Sequence, residues 1–430
     1  MSSEKALAFL KEHGMEPERI EPVSCAVRMA ESMRAGLAAD GEVLPMIPTY
    51  LRNDGAVPSG SSAIVIDAGG TNFRSGLVTF TADGYETSYV TRQPMPGLKR
   101  PATWEEFISF VADSIMPLTD KAEDIGFCFS YSADITPEVD GRVIRIDKEV
   151  VITGASGKLV GESLNEELVR RGASRKNIVI LNDTAAVLLG GAAKLNKERY
   201  GGFIGQVSGT GTNTCCILPL RAIGKLNRSE DTGILVNLES GLYDGLPQGD
   251  YDRLLDRDSN NPGLKWLEKL TAGVYLGELA RLMLLAAGEE GFITPYTAEK
   301  IRALGRFDSA VIDAWSVGEE LKTLCENAED EDFIRTLCQA LFERSARGMC
   351  TNLLAILLVT GEGTDPEKPV YICAEGSLVQ KSRHYRPILE QLLKQYAEGQ
   401  LGRYVDFQVG HGTTLPGSAA AALLNRPVKR

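Results

Sequence analysis

Short apolar runs closed by glycine recur along this chain, each followed by a returning run or by a stretch of helical period. The first lies at 63–80. Ile64, Val65 and Ile66 predict a buried strand, Gly69 and Gly70 a tight turn, and residues 76–80 a strand folding back. Residues 85–91 predict a third strand, 104–116 a helix and 124–130 another strand, so a β-rich start gives way to the alternation of an α/β layer. Residues 178–181 form a short strand pattern that runs into an Ala/Leu-rich helix. Then 202–216 repeats the strand, glycine turn and return strand of the first segment about 140 residues further on, which predicts a duplicated domain.

Outside these segments the pattern is mostly helical. Ala26, Ala30, Met33 and Leu37 keep helical spacing near the start, before a Pro/Gly/Ser-rich approach to the first hairpin. Leu276, Leu279, Ala280, Met283 and Ala287 share one helix face, with Glu278 and Arg281 off it, and Phe333, Leu337 and Leu341 begin another stripe. Such stripes are read as core. The acidic run at 326–332 is read as a solvated connection, 370–373 and 405–409 as further strands, 416–425 as a closing helix, and 426–430 as a frayed basic tail.

The 430 residues exceed one typical domain and suggest two. A formal charge of −12 argues against a nucleic-acid surface. The longest apolar clusters are too short to span a bilayer, and the first residues lack a signal-type apolar core, so the expectation is a cytoplasmic protein without a membrane segment. Eight cysteines without a CxxC pair or a Cys/His cluster read as buried hydrophobes. No GxSxG precedes the three histidines, His13, His384 and His411, so base chemistry falls to a carboxylate.

Four segments carry candidate chemistry. At the first turn, glycines let backbone N–H groups approach an anion, Asp67 is placed to hold a water of a nucleotide-bound Mg²⁺, and Arg74 adds a cation; a plain hairpin with a polar tip is the alternative. Ser130, Asp147 and Lys148 line a polar pocket if the chain between them doubles back; otherwise Asp147 and Lys148 are solvated charges. Asn182, Asp183 and Thr184 stand at the carboxyl end of a strand, where open α/β sheets bind ligands. Asp183 there reads either as a helix N-cap or as a base accepting a hydroxyl proton in phosphoryl transfer. Gly209, Thr210 and Gly211 form a second anion-binding turn, with Asn213 starting the return strand. Neither GxxxxGK[ST] nor GxGxxG is present.

In order and spacing, these segments resemble the sugar kinases of the hexokinase family. Residues 65–74 resemble its first phosphate motif, LNDTAAVLL around Asp183 the segment of its catalytic aspartate, and GTGTN at 209–213 its second phosphate motif. VNLESGLYD at 236–244 and NPGLKWLEKLTAGVYLGE at 261–278 are similar to its two glutamate-bearing sugar segments. The matches span about 63–281 and return near Glu375 and Gly410.

The resemblance implies an α/β, two-lobed actin-like (ribonuclease H-like) ATPase fold with duplicated domains around a cleft. The smaller lobe would be 60–192 completed by 416–430, and the larger one 1–59 with 193–415. It implies ATP- and Mg²⁺-dependent phosphorylation of a hexose, glucose first, at its 6-hydroxyl, as entry to glycolysis. Asp183 would take the hydroxyl proton, while Ser130, Lys148, Asn182, Asn213, Glu239 and Glu268 would hold the remaining hydroxyls. Gly69, Gly70, Thr71, Asn72, Arg74, Gly209, Thr210 and Gly211 would grip the phosphates, Asp67 would orient the metal through water, and Gly376 and Ser377 would border the adenosine. Amide and carboxylate partners of this kind reject analogues lacking a hydroxyl, because a buried polar group left unpaired is costly.

The chain departs from the family's pattern in places. It reads Ser130-Tyr131-Ser132 for Ser-Phe-Pro, Asp147-Lys148 for Thr-Lys, Glu375 for Asp, and TTLPGSAA at 413–420 for a Ser-Gly-x-Gly-Ala-Ala pattern. Two other readings share parts of these motifs: a non-catalytic sugar sensor, and an actin- or chaperone-like ATPase. Subunit number is left open.

Overall fold

The computed structural model describes residues 4–146, 150–193 and 195–426. Among the described residues the strands form two large sheets and two short ribbons. The first sheet contains β1 (Ser62–Gly69), β2 (Asn72–Thr81), β3 (Gly84–Pro94), β4 (Asp124–Phe129) and β5 (Asn177–Leu181), in the order β5-β4-β1-β2-β3. β1, β2 and β3 are antiparallel neighbours, whereas β4 and β5 run parallel to β1. β4 is buried at every position, as a continuous apolar run requires when both sheet faces are covered. β3 is the exposed edge.

Near the start of the chain, after a short helix at Glu4–Glu12, helix α1 (Pro22–Ala38) belongs to the other half of the molecule, while α2 (Trp104–Ile115) and α3 (Val160–Arg170) cover one face of the first sheet. Phe107, Val111, Leu164 and Leu168 pack there against Ile64, Ile66 and Phe127. A capping box between Thr103 and Glu106 starts α2, satisfying N–H groups that the first turn leaves without intrahelical partners.

After α4 (Asp183–Ala192), the second sheet repeats the first. β6 (Gly202–Ser208), β7 (Thr212–Pro219), β8 (Gly233–Asn237), β9 (Val370–Glu375) and β10 (Val405–Val409) are ordered β8-β7-β6-β9-β10, with Ile47–Pro48 added at the β8 edge. Again three antiparallel strands are followed by two parallel ones. The duplication expected from the hairpins is therefore one of whole sheet topology. α5 (Gly273–Glu289) and α6 (Ala328–Thr360) join α1 in a helical layer with its own core. All eight cysteines are buried and free, and among the described residues no helix is long and apolar enough to cross a membrane.

The acidic run at 326–332 differs from expectation. Asn327 caps α6, and Asp330 is buried, accepting from the hydroxyls of Thr294 (2.6 Å) and Thr297 (2.5 Å). Part of the run is thus an internal anchor, because those donors offset the desolvation of the carboxylate.

α4 and α7 (Thr414–Leu424) each follow the fifth strand of a sheet, and they pack against one another between the two sheets. Each helix also lies on the opposite half: α7 on β1 and β4, α4 on β6 and β9. The approach is backbone to backbone. A Cβ on Gly417 would collide with the Ala186 carbonyl, and one on Gly190 with the Thr413 carbonyl. This explains why sequences so rich in alanine and glycine form the innermost helices: side-chain bulk would hold the layers apart.

Glu362, in the connection between α6 and β9, turns its carboxylate against Gly202 at the start of β6. Burial pushes this carboxyl up to about 7.

Two outcomes are expected. Gly417→Ala should lower the urea midpoint: overpacking costs about 1–3 kcal/mol, against a helix-propensity gain for alanine of about 1 kcal/mol. An unchanged or higher midpoint would refute the close seat. Because the folded-state pKa of Glu362 is raised, its contribution to stability is present below about 4.5 and is lost as pH rises through about 7. Glu362→Gln should therefore stabilise the chain by about 1–2 kcal/mol at pH 8, after allowing for residual solvent exposure, and have little effect at pH 4. Denaturation at both pH values checks the sign.

Candidate functional site

The carboxyl ends of the parallel strands converge on the seam between the sheets. β1 brings Asp67 to its end, β4 delivers Ser130 and β5 delivers Asn182 and Asp183, while β6 leads into Gly209 and β9 into Gly376 and Ser377.

At the first turn Gly69 pairs with Asn72, leaving Gly70 and Thr71 as the connecting residues. Gly70 has φ +57°, a conformation glycine adopts without a Cβ penalty. Asp67 Oδ2 accepts from Arg74 Nε (2.8 Å) and Nη2 (2.5 Å). Arg74, expected on phosphate, is thus committed first to orienting Asp67. Burial pushes the Asp67 carboxyl up, Arg74 opposes this, and the nearby negative charge of Asp183 adds to it. Ser130 lies against the same turn: its N–H donates to Ala68 O (3.1 Å), and its Oγ is 3.0 Å from where a Cβ on Gly69 would stand. Thr71 and Asn72 are exposed and hydrogen-bonded side chain to side chain.

The two readings of Asp183 separate here. Asn182 is the N-cap of α4, its Oδ1 accepting from Thr184 N (2.8 Å) and Thr184 Oγ1 (2.7 Å). Asp183 occupies the first helical position and shares only the Thr184 N–H, at 2.8 Å. Its charge also reaches both halves of the molecule. Burial raises the Cys128 thiol on β4 and pushes Cys215 on β7 up to about 12, and Asp183 contributes to both shifts. Cys215 Sγ donates to Thr184 O at 3.1 Å, fixing β7 beside the first turn of α4.

The second turn is enclosed by its neighbours. Gly209 N donates to Gly211 O (3.0 Å), and Gly209 O accepts from Gly273 N (2.8 Å). A Cβ on Gly209 would stand 3.1 Å from Ser377 N, and one on Gly211 would stand 2.9 Å from Glu268 Oε2. Thr210 is exposed at the tip. Backbone thus comes close at Gly209 and the Glu268 carboxylate at Gly211, leaving no room for a larger side chain at either position. No group of three or more potential metal-ligating His, Cys, Asp or Glu side chains occurs among the described residues.

Glu268 and Asn213 meet beside this turn. Glu268 Oε2 accepts from Thr212 N (3.2 Å), and Lys265 Nζ is 3.4 Å from its Oε1. Asn213 Nδ2 donates to Asn237 Oδ1 (2.8 Å) and to Glu239 Oε1 (3.4 Å), and Asn237 Nδ2 donates to Glu239 Oε1 at 2.7 Å. Glu239 has φ +54°, an uncommon state for a non-glycine residue and one that clusters at ligand sites. Asn237 was missed by the sequence reading; its place at the end of β8, two residues before Glu239, is the signal that could have found it. Lys148 and Asp147 lie outside the described residues.

The chain between Ser130 and residue 146 doubles back as a hairpin, Ser132–Ile135 against Gly141–Arg145. Its tip is held by Asp140, whose carboxylate accepts from the N–H groups of Gly141 (2.7 Å), Gly161 (2.7 Å) and Glu162 (2.9 Å). Glu375 accepts from Gly412 N (2.9 Å), Thr413 N (3.0 Å) and the Thr413 hydroxyl, so this side chain fixes the loop that enters α7.

Comparison with known proteins identifies the family of the chain. Sequence profiles described as hexokinase match residues 6–193 and 203–424. Hexokinase-1 of Nicotiana tabacum is 27% identical over 465 aligned positions, covering 98% of this chain and 91% of that protein. Hexokinase-1 of Schizosaccharomyces pombe is 28% identical, covering 88% of this chain and 82% of its own length. The crystal structure of hexokinase from Schistosoma mansoni complexed with glucose superposes with a TM-score of 0.78 at 19% identity, covering 97% of this chain and 99% of that one. With its two profile matches spanning both sheets, the chain belongs to the hexokinase family, phosphotransferases that use ATP to phosphorylate a hexose.

Proposed function

We propose that the hexose is glucose, that its 6-hydroxyl is the acceptor, and that Asp183 is the general base. The observation that carries this reading is the place of Asp183 at the first helical position: Asn182 is the N-cap, both side chains accept from the Thr184 N–H, and the aspartate charge is felt on β1, β4 and β7 alike. The hydroxyl proton passes to the Asp183 carboxylate as the oxygen attacks the γ-phosphorus of ATP. The bond from that phosphorus to the β-phosphate oxygen breaks, and ADP leaves. In such transfers the protein mainly positions groups and stabilises charge.

Asn213, Glu239 and Glu268, with Asn237 bracing the first two, form the hexose side, joined by Asn182, Ser130 and Lys148. The turns at Gly69–Gly70 and Gly209–Thr210–Gly211 hold the phosphates, with Thr71, Asn72 and Arg74 at the first, and Gly376 and Ser377 border the adenosine. Mg²⁺ would be held by Asp67 through water and would supply neutralisation of phosphate charge. We take the lobes as 60–192 with 416–430, and 1–59 with 193–415. Their closure on the sugar expels water and protects ATP from hydrolysis. Eight free cysteines suit a reducing compartment, and the cytoplasm is the assigned location.

Asp183→Ala should lower kcat about 10²–10⁴-fold, the usual range for loss of a general base, with glucose binding still measurable by titration. Near-native turnover would remove Asp183 from the role. In a coupled assay over glucose, mannose, fructose, glucosamine and N-acetylglucosamine, glucose should give the highest kcat/KM. ATP hydrolysis independent of sugar would point instead to an ATPase.

A further inference from the structure

Tyr131 follows Ser130 directly, is buried, and packs its ring edge-on against Phe129 with centroids 5.2 Å apart. Its hydroxyl donates to the carbonyl oxygen of Gly70 at 3.2 Å. That carbonyl belongs to the peptide unit whose N–H is Thr71, at the tip of the first glycine turn. A peptide unit is planar, with C=O and N–H pointing in opposite directions, so a partner that fixes one fixes the other. Turning this unit over between Gly70 and Thr71 converts one two-residue hairpin turn into the other common type, and the glycine tolerates both. The one with positive φ at both residues is unfavourable for β-branched Thr71, which is not at positive φ here.

We propose that the Tyr131 hydroxyl is a positioning group for the phosphoryl donor: by holding Gly70 O on the protein side of the turn, it turns the Thr71 N–H outward, toward the nucleotide phosphates. Phenylalanine at this position would keep the ring packing and leave the peptide unit unheld. Tyr131 is also the neighbour of a proposed hexose ligand, and Ser130 N is bonded to Ala68 O in the strand leading to the same turn. The dipeptide thereby joins the sugar side to the phosphate grip. The inference rests on the reading of the first hairpin as a phosphate site.

The test is steady-state kinetics of the full chain carrying Tyr131→Phe, with ATP and glucose varied separately. The KM for ATP should rise about three- to tenfold, the worth of one hydrogen bond to a half-buried carbonyl, while the KM for glucose and the melting temperature stay at their wild-type values. An unchanged ATP KM would overturn the proposal. So would equal rises in both KM values with a lowered melting temperature, since that describes a general loosening of the fold. Hydrogen exchange across 67–74 in the wild-type chain, with and without a non-hydrolysable ATP analogue, separates the two levels. Absence of protection there would refute the phosphate reading of the hairpin itself. Protection combined with a wild-type ATP KM in Tyr131→Phe would refute the Tyr131 role alone.

Discussion

Everything in the site is referred to the seat between α4 and α7. The two helices occupy equivalent places in the two halves, each continuing from a fifth strand, and each lies on the sheet of the other half. Their backbones come within reach only because Gly190 and Gly417 carry no side chain where the partner's carbonyl passes. The same device recurs on the sheets, where Gly126 on β4 faces the Ser418 carbonyl and Gly205 on β6 faces the Thr184 carbonyl. Dispersion falls steeply with separation, so a seat built of backbone and alanine methyls is stiff across its width.

From this seat the position of the Asp183 carboxylate follows. The first turn of α4 emerges between the end of β5 and the start of β7, and Cys215 ties it to β7 through Thr184. Asn182 satisfies the orphan N–H of that turn, and Asp183 is left at the seam with its charge directed to both sheets. The electrostatic cost falls on the neighbours. Asp67 is raised by burial and by Asp183, and the fork of Arg74 lowers it again. A cation thus already stands beside Asp67, and Arg74 is its partner at this turn.

The fold was legible in the sequence where apolar runs were bounded by glycine. Both hairpins, the strands at 124–130 and 178–181, and the closing helix fall where the pattern puts them, because burial on both faces demands unbroken apolar runs. What periodicity cannot report is which polar residue a neighbouring segment satisfies. Asp330 stood in a run of charges and reads as solvated until Thr294 and Thr297 are seen to meet it. Asp183 and Asn182 were equivalent candidates for the cap, and only their positions relative to the first helical turn separate them. Asn237 was passed over because its partners, Asn213 and Glu239, lie on a different strand and in a following turn.

The departures from the family's pattern are of the same kind, and they show how a site survives changes in its frame. At 27–28% identity to the relatives compared, most positions differ, and two residues that depart from the pattern, Glu375 and Tyr131, make local bonds here. Glu375, one methylene longer than the expected aspartate, reaches across to two N–H groups and a hydroxyl in the loop before α7, so its charge is spent on the entry to the central helix seat. Tyr131 adds a hydroxyl to an otherwise apolar position and places it on a turn carbonyl. Asp140, which is not one of these departures, lies across the N-terminus of α3, whose own cap residue Leu159 supplies no side-chain acceptor, and so fastens the hairpin that follows Ser130. Each of these side chains holds its neighbours by hydrogen bonds. Hydrogen bonds fix orientation as well as distance, and phosphoryl transfer depends on orientation above all.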